Sequence, residues 1–150
     1  MTGVQTCALP ISHRSAHEIT LHGDAGVDVI ADPLGLEQAL GHLLANAVEA
    51  SPKASPVAVR VTRTPSHARI EIVDEGPGMD AEFIATQLFA PFASTKHGGF
   101  GIGAYEARTI VHAMGGRLTV DSRPGAGTRF TIALPLGLAE LKPTPERLSA

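Results

Sequence analysis

The sequence predicts an α+β domain, in which one β-sheet carries its helices on a single face. Several short stretches alternate apolar and polar residues, as strands do, and two others repeat their apolar residues at helical spacing. Strands and helices follow each other in mixed order, which is typical of α+β folds. The chain of 150 residues is long enough for one domain with a substantial core and too short for two.

The first part of the chain predicts two short strands and a long helix. Alternating residues at 19–21 and 27–29 indicate the strands. Asp32 is a typical N-cap residue, and Pro33 suits the first helical position. The helix should end near Ser51. Its apolar residues recur at helical spacing: Leu36, Leu40, Leu43, Leu44, Ala47 and Val48.

A hairpin, a short helix and a loop are predicted next. The alternating stretches 57–61 and 70–72 flank a Pro-Ser turn and predict the hairpin. A short helix is expected after Asp80. Residues 88–103 are rich in glycine and show no regular period, which favours a long loop.

The last part predicts one more helix and a second pair of strands. A helix from Gly103 to Met114 should end at Gly115, because glycine is favoured just beyond a helix C-terminus. Strands are predicted at 117–121 and 128–134, on either side of a turn that is rich in glycine and proline.

The composition excludes several classes of protein. With 43% hydrophobic residues, 18% charged residues and a net charge of −3, the chain is neither a disordered protein nor a strongly basic nucleic-acid binder. No stretch approaches the roughly 18 consecutive apolar residues of a membrane span. The single cysteine excludes a disulfide framework and a thiolate zinc site.

The two ends of the chain differ from the rest. Residues 1–11 show neither the basic segment nor the long apolar segment of a signal peptide, and they resemble the translation of a sequencing-library adapter. We therefore expect the native sequence to begin near Ser12 and residues 1–12 to be a non-native or disordered leader. The polar tail 137–150 should be frayed, which leaves 13–136 as the folded domain.

The long helix carries the first candidate site. His42 and Asn46 are four residues apart and share a face, and Glu49 follows one turn later. An amide oxygen such as that of Asn46 is a ligand that Mg²⁺ accepts, with water and phosphate completing its octahedron. For this stripe taken alone, the solvated face of an amphipathic helix is the more common interpretation.

Two glycine-containing turns carry the second candidate site. Asp74 ends a predicted strand, where its carboxylate can accept a hydrogen bond from an exocyclic amine. Gly76 and Gly78 let the backbone approach a flat ring closely. Thr128 follows the turn 125–127, where its hydroxyl can reach the same base. For each segment taken alone, an ordinary turn is the more common interpretation.

The stretch 97–103 opens a predicted helix and can hold phosphates, because its backbone N–H groups are free near a helix N-terminus. It also fits a rival pattern, the dinucleotide fingerprint Gly99-x-Gly101-x-x-Ala104 with Asp121 further on. That fingerprint requires a strand directly before its first glycine, and the preceding residues do not predict one.

In this order the segments resemble the sequence boxes of the catalytic ATP-binding domain of sensor histidine kinases, in the wider group that includes gyrase B, Hsp90 and MutL. The resemblance covers residues 17–136. The sequence of residues 99–107 also resembles the corresponding segment of kinases that accompany exosortase and exopolysaccharide systems. The matching segments are Asn46–Ala47, Asp74–Gly78, Leu88–Phe92 with Ser94–Lys96, Gly99–Gly103, Gly115–Arg117 and Ser122–Phe130.

The resemblance implies a two-layer α/β sandwich of the Bergerat type, with a mixed, mostly antiparallel sheet and about three helices on one face. It implies that Asp74 hydrogen-bonds the adenine amine and that Thr128 supports it near the ring. Gly76 and Gly78 would shape the adenine pocket, and Asn46 would bind the Mg²⁺ that bridges the phosphates.

The glycine-rich segment would form the hinge of a lid over ATP. Gly99, Gly101 and Gly103 would approach the phosphates, with Ile102 among the nucleotide-binding residues. Lys96 would neutralise phosphate charge, although a solvated lysine is an equally good interpretation.

His42 occupies the first position of the helix motif, where the hydrolysing relatives carry a glutamate that acts as base on water. This difference favours transfer to a protein over hydrolysis. His42 would then orient the γ-phosphate or the acceptor, and Glu49 is a possible substitute base.

The acceptor histidine is expected on a dimerisation domain absent from this chain. His17 superficially resembles an acceptor motif, but Asn46 follows only 29 residues later, which leaves no room for the helical hairpin. The expected partners are ATP or ADP, that dimerisation domain and, indirectly, a response regulator, with no nucleic acid and no direct membrane contact. The resemblance implies the cytoplasmic domain of a membrane-anchored bacterial kinase.

Three alternatives remain open at this point. One is a serine kinase of the anti-sigma type, and another is a nucleotide-binding module without catalysis. The third is a dinucleotide-dependent oxidoreductase, which would leave Asn46 and Asp74 unexplained.

Overall fold

One mixed β-sheet with helices on one face forms the domain. The computed structural model describes residues 17–52, 55–91 and 100–137. The elements in chain order are β1 (Ile19–Gly23), α1 (Pro33–Ala50), β2 (Val57–Arg63), β3 (His67–Asp74), α2 (Ala81–Phe83) continued by a π-helical turn (Ile84–Leu88), α3 (Phe100–Ala113), β4 (Arg117–Ser122) and β5 (Thr128–Pro135).

The five strands are ordered β1-β2-β3-β5-β4. β1 runs parallel to β2, whereas β2–β3, β3–β5 and β4–β5 are antiparallel pairs. The predicted mixed, mostly antiparallel sheet with about three helices is confirmed. The hairpins β2–β3 and β4–β5 are neighbours in sequence, and β5 lies between β3 and β4.

α1 follows the sequence closely. The carboxylate of Asp32 accepts a hydrogen bond from the backbone N–H of Gly35 at 3.1 Å, and Pro33 occupies the first turn. Ser51 caps the C-terminus. Both ends therefore lie where the capping residues predict them.

The core lies between the sheet and the helices. Alternate residues of β2, β3, β4 and β5 are buried on the face that meets α1 and α3. α1 and α3 pack against each other over this face. Ala104 and Ala107 of α3 are fully buried, because small side chains let the two helices approach closely.

Two predicted elements differ from the structure. The stretch 27–29 is not a strand, because it makes only an isolated bridge between Val29 and Leu136. α3 begins at Phe100 rather than at Gly103, so that Gly101 lies within its first turn. Among the described residues, no helix is long and apolar enough to cross a bilayer.

Candidate functional site

Three polar residues lie side by side on adjacent strands, at one end of the core-facing side of the sheet. Asp74 of β3 pairs with Thr128 of β5, which pairs in turn with Ser122 of β4. Directly opposite residues in antiparallel strands point to the same face. The neighbouring row on that face is apolar and contains Ile72 and Phe130. The sheet therefore changes from core to polar surface at this edge.

Asp74 is a buried carboxylate, only 5% exposed. Its Oδ1 accepts a hydrogen bond from the backbone N–H of Gly76 at 2.8 Å. Burial raises the pKa of Asp74, and backbone hydrogen bonds from Gly76 and Thr128 lower it by less. A carboxylate costs folding energy in such a place, which is typical of a group that serves a ligand.

The glycines beside Asp74 allow backbone segments to approach each other. A Cβ on Gly76 would lie 2.7 Å from the carbonyl oxygen of Ala50 at the end of α1. Gly78 has a φ of +74°, and a Cβ there would collide with the carbonyl oxygen of Arg123. These contacts pack the turn after β3 directly against the end of α1 and against the β4–β5 turn.

His42 and Asn46 lie on the side of α1 that faces α3. Both are half-buried, so neither lies on a fully solvated face. A Cβ on the buried Gly103 would lie 3.5 Å from Oδ1 of Asn46 and 3.8 Å from Cβ of His42. These are ordinary van der Waals distances, so the first turn of α3 lies next to the Asn46 amide.

His42 contacts α3 through an acidic residue. Its Nε2 lies 2.8 Å from Oε2 of Glu106, although the ring N–H does not point along that line and the nitrogen has no aligned hydrogen bond. The two side chains are therefore in close contact without an aligned hydrogen bond. Glu49, by contrast, is exposed further along α1.

The remaining predicted residues are only partly covered by the structure. Gly101 and Ile102 lie in the first turn of α3. Lys96 and Gly99 lie outside the described residues. The segment directly before Gly99, where the dinucleotide fingerprint needs a strand, also lies outside the described residues.

His17 and Phe89 have structural contacts. Nε2 of His17 lies 3.2 Å from the carbonyl oxygen of Ser51 and 3.0 Å from that of Pro52, so it satisfies the C-terminal end of α1. The guanidinium of Arg108 lies 4.5 Å from the ring centre of Phe89, which joins α3 to the segment after the π-helical turn.

Sequence reasoning assigned no role to Ser122. Its Oγ donates to the carbonyl oxygen of Gly127 at 2.8 Å and accepts from the backbone N–H of Met79 at 2.9 Å. It also lies 2.9 Å from Oγ1 of Thr128. The predicted strand 117–121 ended one residue before Ser122, and its pairing with Thr128 appears only in the structure.

Comparisons with known proteins identify the family of this chain. Residues 31–138 match the family described as histidine kinase-, DNA gyrase B-, and HSP90-like ATPase. The C4-dicarboxylate transport sensor protein DctS of Rhodobacter capsulatus is 39% identical over 112 residues, which are 72% of this chain and 17% of that protein. Sporulation kinase C of Bacillus subtilis is 36% identical over 111 residues, which are 74% of this chain and 26% of that protein.

A solved structure, described as mycobacterial sensor histidine kinase MprB, superimposes with a TM-score of 0.68 at 30% identity. The match covers 81% of this chain and 83% of that one. The chain spans about a quarter or less of the two curated relatives' length. It belongs to the histidine kinase-, DNA gyrase B-, and HSP90-like ATPase family, as an ATP-binding catalytic domain of the sensor histidine kinase type.

Proposed function

We propose that this domain binds Mg²⁺–ATP and transfers the γ-phosphoryl group to a histidine on a helical dimerisation domain. The observation that carries the proposal is the buried Asp74 carboxylate, which ends an apolar sheet face between two backbone turns. A flat heterocycle with an exocyclic amine suits such a pocket, because it pairs with the carboxylate and stacks on apolar surface.

The adenine contacts follow from the row of polar residues. Asp74 accepts a hydrogen bond from the adenine amine, and Thr128 on the adjacent strand supports the ring edge. Gly76 and Gly78 form the backbone wall of the pocket. Their close packing against Ala50 and Arg123 supports this role, since side chains there would push the walls apart.

The phosphate end lies where α1 meets the first turn of α3. The positive end of the α3 dipole suits an anion, and Gly101, Ile102 and Gly103 belong to that turn. Lys96 and Gly99 are proposed to complete the phosphate contacts.

Asn46 fits a magnesium site that is shared with the nucleotide. Its half-buried amide group lies next to the first turn of α3 at Gly103. Among the described residues no group of three or more His, Cys, Asp or Glu side chains could hold a metal by itself. The other ligands would thus be phosphate oxygens and water, as Mg²⁺ prefers. Bound there, Mg²⁺ would neutralise charge on the phosphates.

The residue at the first position of the helix motif, His42, favours phosphoryl transfer over hydrolysis. His42 is paired with Glu106 across the α1–α3 contact, so the imidazole is held beside the phosphate end, where it can orient the γ-phosphate. Glu49 remains the candidate for a substitute base. In the reaction an acceptor imidazole nitrogen bonds the γ-phosphorus, ADP leaves and the imidazole loses a proton. Positioning and charge neutralisation dominate such a step.

The partners and the location are part of the same proposal. Phosphoryl groups on histidine are passed to an aspartate of a response regulator, which would be an indirect partner of this domain. We place the domain on the cytoplasmic side of a membrane-anchored bacterial kinase, because ATP is supplied there.

Two measurements test the proposal. Calorimetry with Mg²⁺–ATP, ADP and NAD should show micromolar binding of the adenosine phosphates, worth about 8 kcal/mol, and weaker binding of NAD. The domain is then incubated with γ-labelled ATP and the phosphoacceptor domain of a homologous sensor kinase, with Asp74→Asn as the inactive control.

The chemistry of the labelled product separates the alternatives. Acid-labile phosphohistidine supports the proposed transfer. Acid-stable phosphoserine would indicate the serine kinase, and ATP binding without label on any acceptor would indicate a non-catalytic module. Preferential binding of NAD would indicate the oxidoreductase.

A further inference from the structure

The hydroxyl of Ser122 joins three backbone segments at the edge of the proposed adenine pocket. It contacts Met79 after β3, Gly127 before β5 and Thr128 at the start of β5. Ser122 and Thr128 are directly opposite each other in β4 and β5, and Asp74 continues the row in β3. The hydroxyl therefore lies next to the polar edge that the nucleotide would meet.

The hydrogen bonds of Ser122 leave only one arrangement of protons. A hydroxyl has one proton to donate and two lone pairs. The carbonyl oxygen of Gly127, 2.8 Å away, can only accept, so the Ser122 proton is assigned to it. The N–H of Met79 takes one lone pair. Thr128, at 2.9 Å, must then donate its own proton to the second lone pair of Ser122.

Because its proton is used, the Thr128 hydroxyl can only accept a hydrogen bond from any further partner. The ionised carboxylate of Asp74 also offers only lone pairs. The polar edge of the pocket thus presents acceptors and no hydroxyl donor. A 6-amino group meets these acceptors as a donor, whereas a 6-oxo group would place a third acceptor against them.

We propose that Ser122 is a positioning residue that orients the Thr128 hydroxyl as an acceptor, and so makes the pocket prefer 6-amino purines over 6-oxo purines. The inference rests on the proposed binding of ATP beside Asp74. It adds a residue that need not touch the nucleotide, and that acts through the direction of one hydrogen bond.

Ser122 also has a structural role, and the two roles differ in their consequences. Its bonds to Met79 and Gly127 hold two turns together, so removing the hydroxyl should loosen the pocket for every nucleotide. Loss of orientation, however, frees the Thr128 proton, which can then be donated to a 6-oxo group. Only the second effect changes the ratio of the two affinities.

The test measures dissociation constants for ATP and inosine triphosphate, which carries a carbonyl oxygen in place of the adenine amine. Calorimetry with Mg²⁺ at pH 8 is run on the wild-type domain and on Ser122→Ala. Ser122→Thr keeps the hydroxyl and serves as the conservative variant. Thr119→Ala removes a hydroxyl from the exposed face of the same strand and is the matched control.

We expect the wild type to prefer ATP, and Ser122→Ala to reduce that preference about five- to tenfold, the usual effect of one neutral hydrogen bond. Ser122→Thr should restore the preference, and Thr119→Ala should leave it unchanged. On a Thr128→Val background, Ser122→Ala should have no further effect on the ratio. If Ser122→Ala does not fold, Ser122→Cys repeats the test, because a thiol is a weak acceptor.

Three results would overturn the inference. One is an equal loss of both affinities in Ser122→Ala, which would leave a structural role only. Another is the same change in ratio on the Thr128→Val background. The third is a wild type that binds ATP without preference over inosine triphosphate. A wild type that binds neither nucleotide would instead overturn the proposed function, and the inference with it.

Discussion

Replacing Asp74 by asparagine should weaken nucleotide binding strongly while leaving the fold intact. The N–H of Gly76 donates to Oδ1 of Asp74, so the amide oxygen of the variant takes that position, since only it can accept. The amide NH₂ then replaces the other oxygen and meets the adenine amine as donor against donor. Losing a charge-assisted hydrogen bond costs about 1.5–3 kcal/mol, or roughly 10- to 150-fold in affinity.

The same variant should stabilise the nucleotide-free domain. Burial raises the pKa of Asp74, so the folded state holds that proton more tightly than the unfolded state. The wild type therefore loses stability as the pH rises from about 4 through the raised pKa. Asparagine does not ionise, so the variant should gain stability relative to the wild type over that range and keep the gain at pH 7.5.

Calorimetry with Mg²⁺–ATP gives the affinity, and thermal unfolding between pH 4 and 8 gives the stability. The exposed neighbour Glu75 provides a control, because Glu75→Gln makes the same change of charge outside the pocket. An Asp74→Asn variant that binds ATP as tightly as the wild type would refute the adenine contact. A variant that is less stable at every pH would refute the assigned cost of the buried carboxylate.

Further predictions concern the backbone wall, the metal and the helix contact. A non-glycine residue in the left-handed conformation costs about 1–2 kcal/mol. Gly78→Ala should lower the free energy of unfolding in urea by more than this, because its Cβ also collides with a carbonyl oxygen. Gly125→Ala is the control and should cost only the conformational energy, since Gly125 has a φ of +80° and open space around its Cβ. Chelation of Mg²⁺ should weaken ATP binding in the wild type and have no effect in Asn46→Ala; an equal effect in both would remove Asn46 from the metal site. Glu106→Gln should change stability by less than about 1 kcal/mol, since its pairing with His42 is solvent-accessible, and salt should reduce even that effect.

The helix α1 and the hairpins could be predicted because their signals are local. Asp32 and Pro33 mark the start of α1 through hydrogen bonding and a fixed φ, which need no tertiary contact. The alternation in β2 and β3 reflects one buried face. The position of β5 between β3 and β4 has no local signal, because it depends on which sheet edges meet during folding.

The errors also have physical causes. The alternation at 27–29 is real, but a single bridge to Leu136 provides too few hydrogen bonds for a strand. The glycines at the start of α3 indicated a loop because of their low helix propensity. Packing of α3 against α1, in which Gly103, Ala104 and Ala107 are buried, offsets that propensity, and no count of local residues shows it.

The candidate site was predictable in its residue types and not in its hydrogen bonding. Asp74 and Thr128 stood out as polar residues beside glycine turns, and the structure places them opposite each other. The sequence did not point to Ser122, because its role depends on which atoms donate and which accept in its hydrogen bonds with Met79, Gly127 and Thr128. Such a network exists only when three strands and two turns meet.

The most direct test of nucleotide binding between β3, β5, α1 and α3 is an NMR titration. Mg²⁺–ATP is added to the ¹⁵N-labelled domain, and the amide chemical shifts are recorded at each step. The largest changes in chemical shift are predicted for the amides of Gly76, Gly78, Gly103 and Thr128. The amide signal of Thr119, on the outer face of the sheet, should not shift. Saturable changes confined to the outer face, or no change at millimolar ATP, would contradict it.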